Sequence, residues 1–152
     1  VIDRPKPVSG LGGKMRFQYT AAAAILDGTV GIDTFSDRRR FKPDMVALLK
    51  KTTLRQDPTM PNDLHKMRVE IVVETRDGLR YSAVCRGPKG TWGLPRLERK
   101  DHRVKLEDCL RRALSARAMT HVLDQLDRID RLNTADVCEI VRVIGRKRLN
   151  SK

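Results

Sequence analysis

Aromatic residues are scarce in this chain: Phe, Trp and Tyr together make up 4% of its 152 residues. A core is therefore expected to be built from Ala, Val, Leu and Ile. Cysteine is scarce too. Cys85, Cys109 and Cys138 are odd in number, far apart, and form no C-x-x-C pair. That pattern excludes a disulfide framework and points to a reducing cytoplasm. The three histidines, His65, His102 and His121, lack ligand spacing, so no metal site is expected. No apolar run reaches the ~18 residues of a membrane span, so no membrane partner is expected. The opening "VIDRPKPVSG" has no Met and no apolar stretch, so it does not read as a signal peptide. Acid is the last deficit: 19 Asp and Glu stand against 32 Lys and Arg, a formal net charge of +13. Such an imbalance suits nucleic acid, anionic lipid or small anionic substrates, or else a solvated basic surface.

What is present reads as helices, a small sheet, then helices. Residues 1–13 carry two prolines and three glycines and read as a lead-in loop. Phe17 to Leu26 reads as a helix, with Phe17, Ala21, Ala24 and Ile25 on one face and Gly28 as its stop. Its four alanines permit close approach, so it is expected to be central. After the loop "SDRRRFK", Pro43 and Asp44 open a short helix striped by Met45, Leu48 and Leu49. From Met67 to Thr75 the period changes to two. Met67, Val69, Ile71 and Val73 are expected to face inward, and Arg68, Glu70 and Glu74 outward. Asp77-Gly78 signals a two-residue hairpin turn, and Leu79 to Arg86 is the return strand. "TTLRQ" (52–56) is a candidate third strand.

Three helices close the chain. Their expected stripes are Leu106, Leu110, Ala113 and Leu114; then Met119, Val122, Leu123, Leu126 and Ile129; then Val137, Ile140, Val141 and Ile144. Asn133 or Thr134 is the expected cap of the third, and Gly145 its stop. Segregated elements of this kind define an α+β fold: a small antiparallel sheet with a hairpin, flanked by helices.

Complete catalytic machinery is not legible. "SGLGGK" (9–14) lacks the spacing, the following Ser or Thr, and the preceding strand of a phosphate loop, and reads as a hinge. The basic clusters at 37–42, 99–105 and 145–152 have only Phe41 and Trp92 near them and no nucleic-acid motif, which favours a solvated surface. Glu98 with Asp101, and Glu107 with Asp108, read as exposed helix charges. Cys109 reads as a small buried hydrophobe.

The stretch "RPKPVSGLGGKMRFQYTAAAAILDGTVGIDTF" resembles the lid-region signature of the MmgE/PrpD family, which includes 2-methylcitrate dehydratase, cis-aconitate decarboxylase and iminodisuccinate epimerase. Lys14 matches its basic position, Gln18 and Tyr19 its Gln-Tyr, and "AAAAILDG" its small-residue helix and stop. "KPDMVALLKKTTLRQDP", "RVEIVVETRDGLRYSAVCRGPKG" and "VKLEDCLRRAL" resemble later pieces in the same order. Two departures stand out: Arg16 replaces a small Ser, and "GTWGLPRLERKD" differs from the family's usual loop.

The resemblance implies a cofactor-independent lyase or isomerase acting on small di- or tricarboxylates. Dehydration, decarboxylation or epimerisation would begin with proton abstraction next to a carboxylate. It implies a lead-in loop over 1–13, a lid-like α+β domain with returning helices over 14–146, and a basic tail over 147–152. An upstream helical domain would hold the main acid and base groups, so the chain alone is expected to be inactive; the missing Met fits a C-terminal part. The full-length protein is expected to be a homodimer. Lys14, Arg16, Gln18 and Tyr19 are the implied substrate-binding residues. The alternative is a basic binding module, for instance for nucleic acid, without catalysis.

Overall fold

The computed structural model describes residues 6–61, 63, 65–91 and 93–145. Residues 1–5 of the lead-in loop, Trp92 and the tail at 147–152 lie outside the described residues. The chain divides into two units, Val1–Leu97 and Glu98–Lys152. The described elements are six helices and a two-stranded antiparallel sheet, an α+β fold. No helix among the described residues is long and apolar enough to cross a membrane.

In the first unit, a 3₁₀ turn at Leu11–Met15 leads into α1 (Phe17–Asp27). The helix ends where Gly28 takes φ 68, and its N–H closes on the Ala24 carbonyl at 3.0 Å. Only glycine enters that left-handed conformation at little cost. The buried face is Gln18, Tyr19, Ala22 and Ala23. The expected face is overturned: Phe17 and Ile25 are half-exposed and Ala24 is exposed. Alanines occupy every direction of this helix, so periodicity had little to act on. Tyr19, the largest side chain of the stretch, sets the orientation.

After α1 come a 3₁₀ turn at Asp33–Phe35, α2 (Asp37–Arg40) and α3 (Pro43–Leu49). The short α2 replaces the expected loop because Ser36 caps it, its hydroxyl accepting from the Arg39 N–H at 3.2 Å. Pro43 occupies the first turn of α3, as expected. Tyr19, Ala22, Ala23, Met45 and Leu49 form the core, with Phe35 and Leu48 packed on it. Burying a side chain the size of Met45 contributes about 1.5–3 kcal/mol. The core thus draws on Tyr and Met as well as on the aliphatics and alanines.

β1 (Val69–Glu74) pairs with β2 (Arg80–Cys85) in antiparallel register, Val69 opposite Cys85 and Glu74 opposite Arg80. The hairpin stands where it was expected, but its turn is one residue longer. The Thr75 N–H donates to the Leu79 carbonyl, and the Gly78 N–H closes back on Thr75, with Gly78 at φ 83. That is a three-residue loop ending in a left-handed glycine. The alternation is as read, with Val69, Ile71 and Val73 sharing a face with Tyr81, Ala83 and Cys85. That face is not buried: Val69 and Ile71 are 36% and 38% exposed, and the hairpin joins neither hydrophobic cluster. Residues 52–56 form no strand.

The second unit is three helices: α4 (Arg99–Leu110), α5 (Ala116–Leu126) and α6 (Thr134–Gly145). Leu110, Leu114, Val122, Leu123 and Ile140 are its core, backed by Leu106, Met119, Leu126 and Val143. Five expected core positions are exposed: Ala113, Ile129, Val137, Val141 and Ile144. Ile129 falls in a separate 3₁₀ turn beyond α5, and on α6 only the Ile140–Val143 side packs on the cluster. Cys109 is exposed, not buried. Asn133 rather than Thr134 caps α6: its Oδ1 accepts from the Asp136 N–H at 3.0 Å, and Asp136 accepts from the Asn133 N–H at 3.1 Å. The reciprocal pair is a capping box built with Asp.

Candidate functional site

The site grows from the turn that precedes α1. Gly13 is buried, and a Cβ there would lie 2.3 Å from Tyr19 Cδ1. The Tyr19 ring therefore lies against the backbone of the 3₁₀ turn, which any side chain at position 13 would displace. The ring is tilted 46° to that of Phe35, with centroids 6.2 Å apart. Its hydroxyl donates to the Thr34 carbonyl, and Thr34 Oγ1 accepts from the Gly31 N–H at 3.1 Å. Tyr19 is fully buried. Burial raises the pKa of its hydroxyl above the usual 10.0, against the opposing pull of Arg39 and Arg40. At neutral pH it is a protonated hydrogen-bond donor, and its proton is aimed at Thr34.

Gln18 is 2% exposed, in the same buried face. Lys14 and Arg16 are not part of that buried face. Lys14 is exposed and, among the described residues, makes no ion pair. Arg16 is half-buried, and its Nε is enclosed without a hydrogen-bond acceptor among the described residues. Arg16 also stands at the cap position of α1 in extended conformation, with no side-chain cap and no acidic residue in the first turn. The positive end of the helix dipole is therefore uncompensated there, and two cationic side chains add to it. Of the four residues singled out from the sequence, two hold the helix in place and two form a cationic edge.

The next residue, Phe17, lines a groove of about 750 Å³. The far wall comes from the open end of the hairpin and the Gly/Pro loop after it, including Met67, Val69, Cys85 and Leu94. Arg68 and Arg86 lie one residue beyond the paired register and also line the groove. Like charges so placed repel. Arg68 is partly balanced by Asp57 at 3.4 Å, while Arg86 makes no ion pair among the described residues. These two arginines were not found in the sequence. The signal was the hairpin register itself: extended by one position, it sets them opposite each other.

The basic clusters are partly paired with acids of the same chain. Arg39 binds Asp27 through Nε (2.7 Å) and Nη2 (2.9 Å), and Asp44 through Nη1 (3.0 Å). Arg40 is buried. Arg99 and Arg103 both reach Asp127, at 3.0 and 2.9 Å, and Lys100 pairs with Glu98. The last cluster, beyond Gly145, lies outside the described residues.

The C-terminal domain of the MmgE/PrpD family matches residues 1–129, and the chain belongs to that family. It is 31% identical over 104 residues to the cis-aconitate decarboxylase of Mus musculus, covering 68% of this chain and 21% of that protein. With the cis-aconitate decarboxylase of Homo sapiens it shares 30% identity over 94 residues, 62% of this chain and 20% of that one. A cis-aconitate decarboxylase-like protein of Aspergillus oryzae is 31% identical over 85 residues, 56% and 18% of the two chains. The chain thus spans about a fifth of the length of these relatives.

Proposed function

We propose that this chain is the lid part of a cofactor-independent lyase or isomerase that acts on small di- or tricarboxylates, and that its edge around Lys14 and Arg16 binds a substrate carboxylate. The observation that carries the reading is the unanswered positive charge at the start of α1. A carboxylate there would pair with the guanidinium of half-buried Arg16 and with Lys14, and the helix dipole would favour it. Phe17 carries the same edge into the groove, where Arg68 and Arg86 offer a second anionic group its partners. Two separated cationic points suit a molecule with two or three carboxylates better than one with a single charge. The names of the relatives support cis-aconitate as the first substrate to try.

Tyr19 acts in this reading as a positioning residue. Its buried hydroxyl and ring fix the start of α1, and hence where Lys14 and Arg16 stand. Proton abstraction needs a general base within hydrogen-bond reach of the substrate carbon. The lid's share is to bind and orient the carboxylates; the acid and base groups belong to a helical domain that precedes it in the full-length enzyme, which is expected to work as a homodimer. The nucleic-acid alternative has less support, because no nucleic-acid motif accompanies the basic clusters and Arg39, Arg99 and Arg103 pair with Asp27, Asp44 and Asp127.

Titrating the ¹⁵N-labelled chain with cis-aconitate tests the reading. The Arg16 and Phe17 amides should shift saturably, and Arg16→Ala should weaken binding about tenfold, the worth of one charge-assisted hydrogen bond. Unmoved amides at 14–18, together with tight, steeply salt-dependent binding of DNA or RNA, would favour the basic module instead.

A further inference from the structure

A second cavity lies beneath the lead-in segment and shares no residue with the groove. The segment is pinned to α2 at two points. The Pro7 carbonyl accepts from Arg40 Nε at 2.8 Å, and the Gly10 N–H donates to Asp37 Oδ1 at 2.7 Å. Gly10 lies so close to the chain at Ser36 that a Cβ would come within 2.2 Å of that residue's carbonyl carbon. The space is an open pocket of about 230 Å³, lined by Lys6, Arg40, Phe41, Val46, Leu49 and Lys50. Three of these six are cations and none is an acid.

Arg40 makes the cavity unusual. It is 6% exposed, yet among the described residues its side chain has no carboxylate partner, and its only side-chain hydrogen bond runs from Nε to Pro7. The Phe41 ring, 5.1 Å from the guanidinium carbon, offers a π-face but not a counter-charge. A guanidinium carries five N–H donors, and the Nη donors of Arg40 have no protein acceptor among the described residues. An anion in the cavity would give them one.

We propose that this cavity is a binding site for a small aliphatic carboxylate. The planar fork of Arg40 matches two coplanar carboxylate oxygens, and Lys6 and Lys50 add positive charge. Phe41, Val46 and Leu49 form an apolar wall suited to a short hydrocarbon chain, which a phosphate lacks. The volume equals that of roughly eight waters, room for an acid of a few carbons. Occupancy ties the lead-in segment down against α2, and that segment runs directly into the turn carrying Gly13 and Lys14.

The test is a methyl-resolved NMR titration of the chain with butyrate, inorganic phosphate and chloride at matched ionic strength. Butyrate should shift the Val46 and Leu49 methyl signals saturably. Arg40→Lys, which keeps the charge but loses the fork, should weaken binding about tenfold. Lys50→Gln, at an exposed position, should weaken it about threefold. If Arg40→Lys does not fold, a Lys6→Gln/Lys50→Gln double variant replaces it and should lose about tenfold. A linear response, equal shifts with chloride, tighter binding of phosphate than of butyrate, or indifference to these substitutions overturns the proposal. Binding at the Lys14–Arg16 edge would move the Phe17 ring signals instead, so the two sites succeed or fail separately.

Discussion

The Tyr19 hydroxyl donates to the Thr34 carbonyl across fifteen residues of chain, tying the start of α1 to the 3₁₀ turn that follows it. Tyr19→Phe removes only that donor. The net loss of one hydrogen bond is about 1 kcal/mol, with a further penalty for leaving the buried acceptor unpaired. Thermal or urea melts of the two proteins measure it.

The same residue predicts an alkaline transition. Its folded pKa is raised above 10.0, chiefly by burial, so the folded state holds the phenol proton more tightly than the unfolded chain does. That stabilisation is fully present below pH 10 and is lost as pH rises beyond it. Melts between pH 8 and 12 should show wild type falling away above pH 10, and Tyr19→Phe should lack this component.

Gly13→Ala should destabilise by roughly 1–3 kcal/mol, because its Cβ would lie 2.3 Å from the Tyr19 ring. Overpacking on α1 belongs to Ala22 and Ala23, which are fully buried, more than to Ala21, which is only partly so. Ala22→Leu should therefore lower the melting temperature more than Ala21→Leu does.

Much of this was legible beforehand and some was not. The hairpin could be read because Asp77-Gly78 is a local signal flanked by strict alternation, and the three closing helices because their leucines recur at helical spacing. The start of α1 was recognisable as a motif. Which way that helix faces was not, since "TAAAAIL" is apolar or small all round and the choice rests on Tyr19 meeting Gly13 from outside the helix. The groove and the Arg40 cavity depend on contacts between residues tens of positions apart. No periodicity reports those.

Arg39 links the end of α1 to α3 through Asp27 and Asp44. A double-mutant cycle on Arg39 and Asp27 should give a coupling of about 1 kcal/mol, reduced from a buried pair's value because Asp27 is partly exposed. The Asp44 carboxyl is held below its ordinary 3.8, first by the Met45 backbone N–H and then by Arg39. Its stabilisation is present above pH 3.8 and is lost as pH falls below that value. Acid titration should therefore show Arg39→Met less sensitive than wild type below pH 4.

Turnover tests the central claim most directly. The product of the whole reading frame that contains this chain should be assayed with cis-aconitate and related di- and tricarboxylates, beside the 152-residue chain alone. The account predicts turnover by the former and none by the latter, with Arg16→Ala reducing kcat/KM about tenfold for the loss of one charge-assisted hydrogen bond. Turnover by the isolated chain, or a full product that processes no such carboxylate, would contradict it.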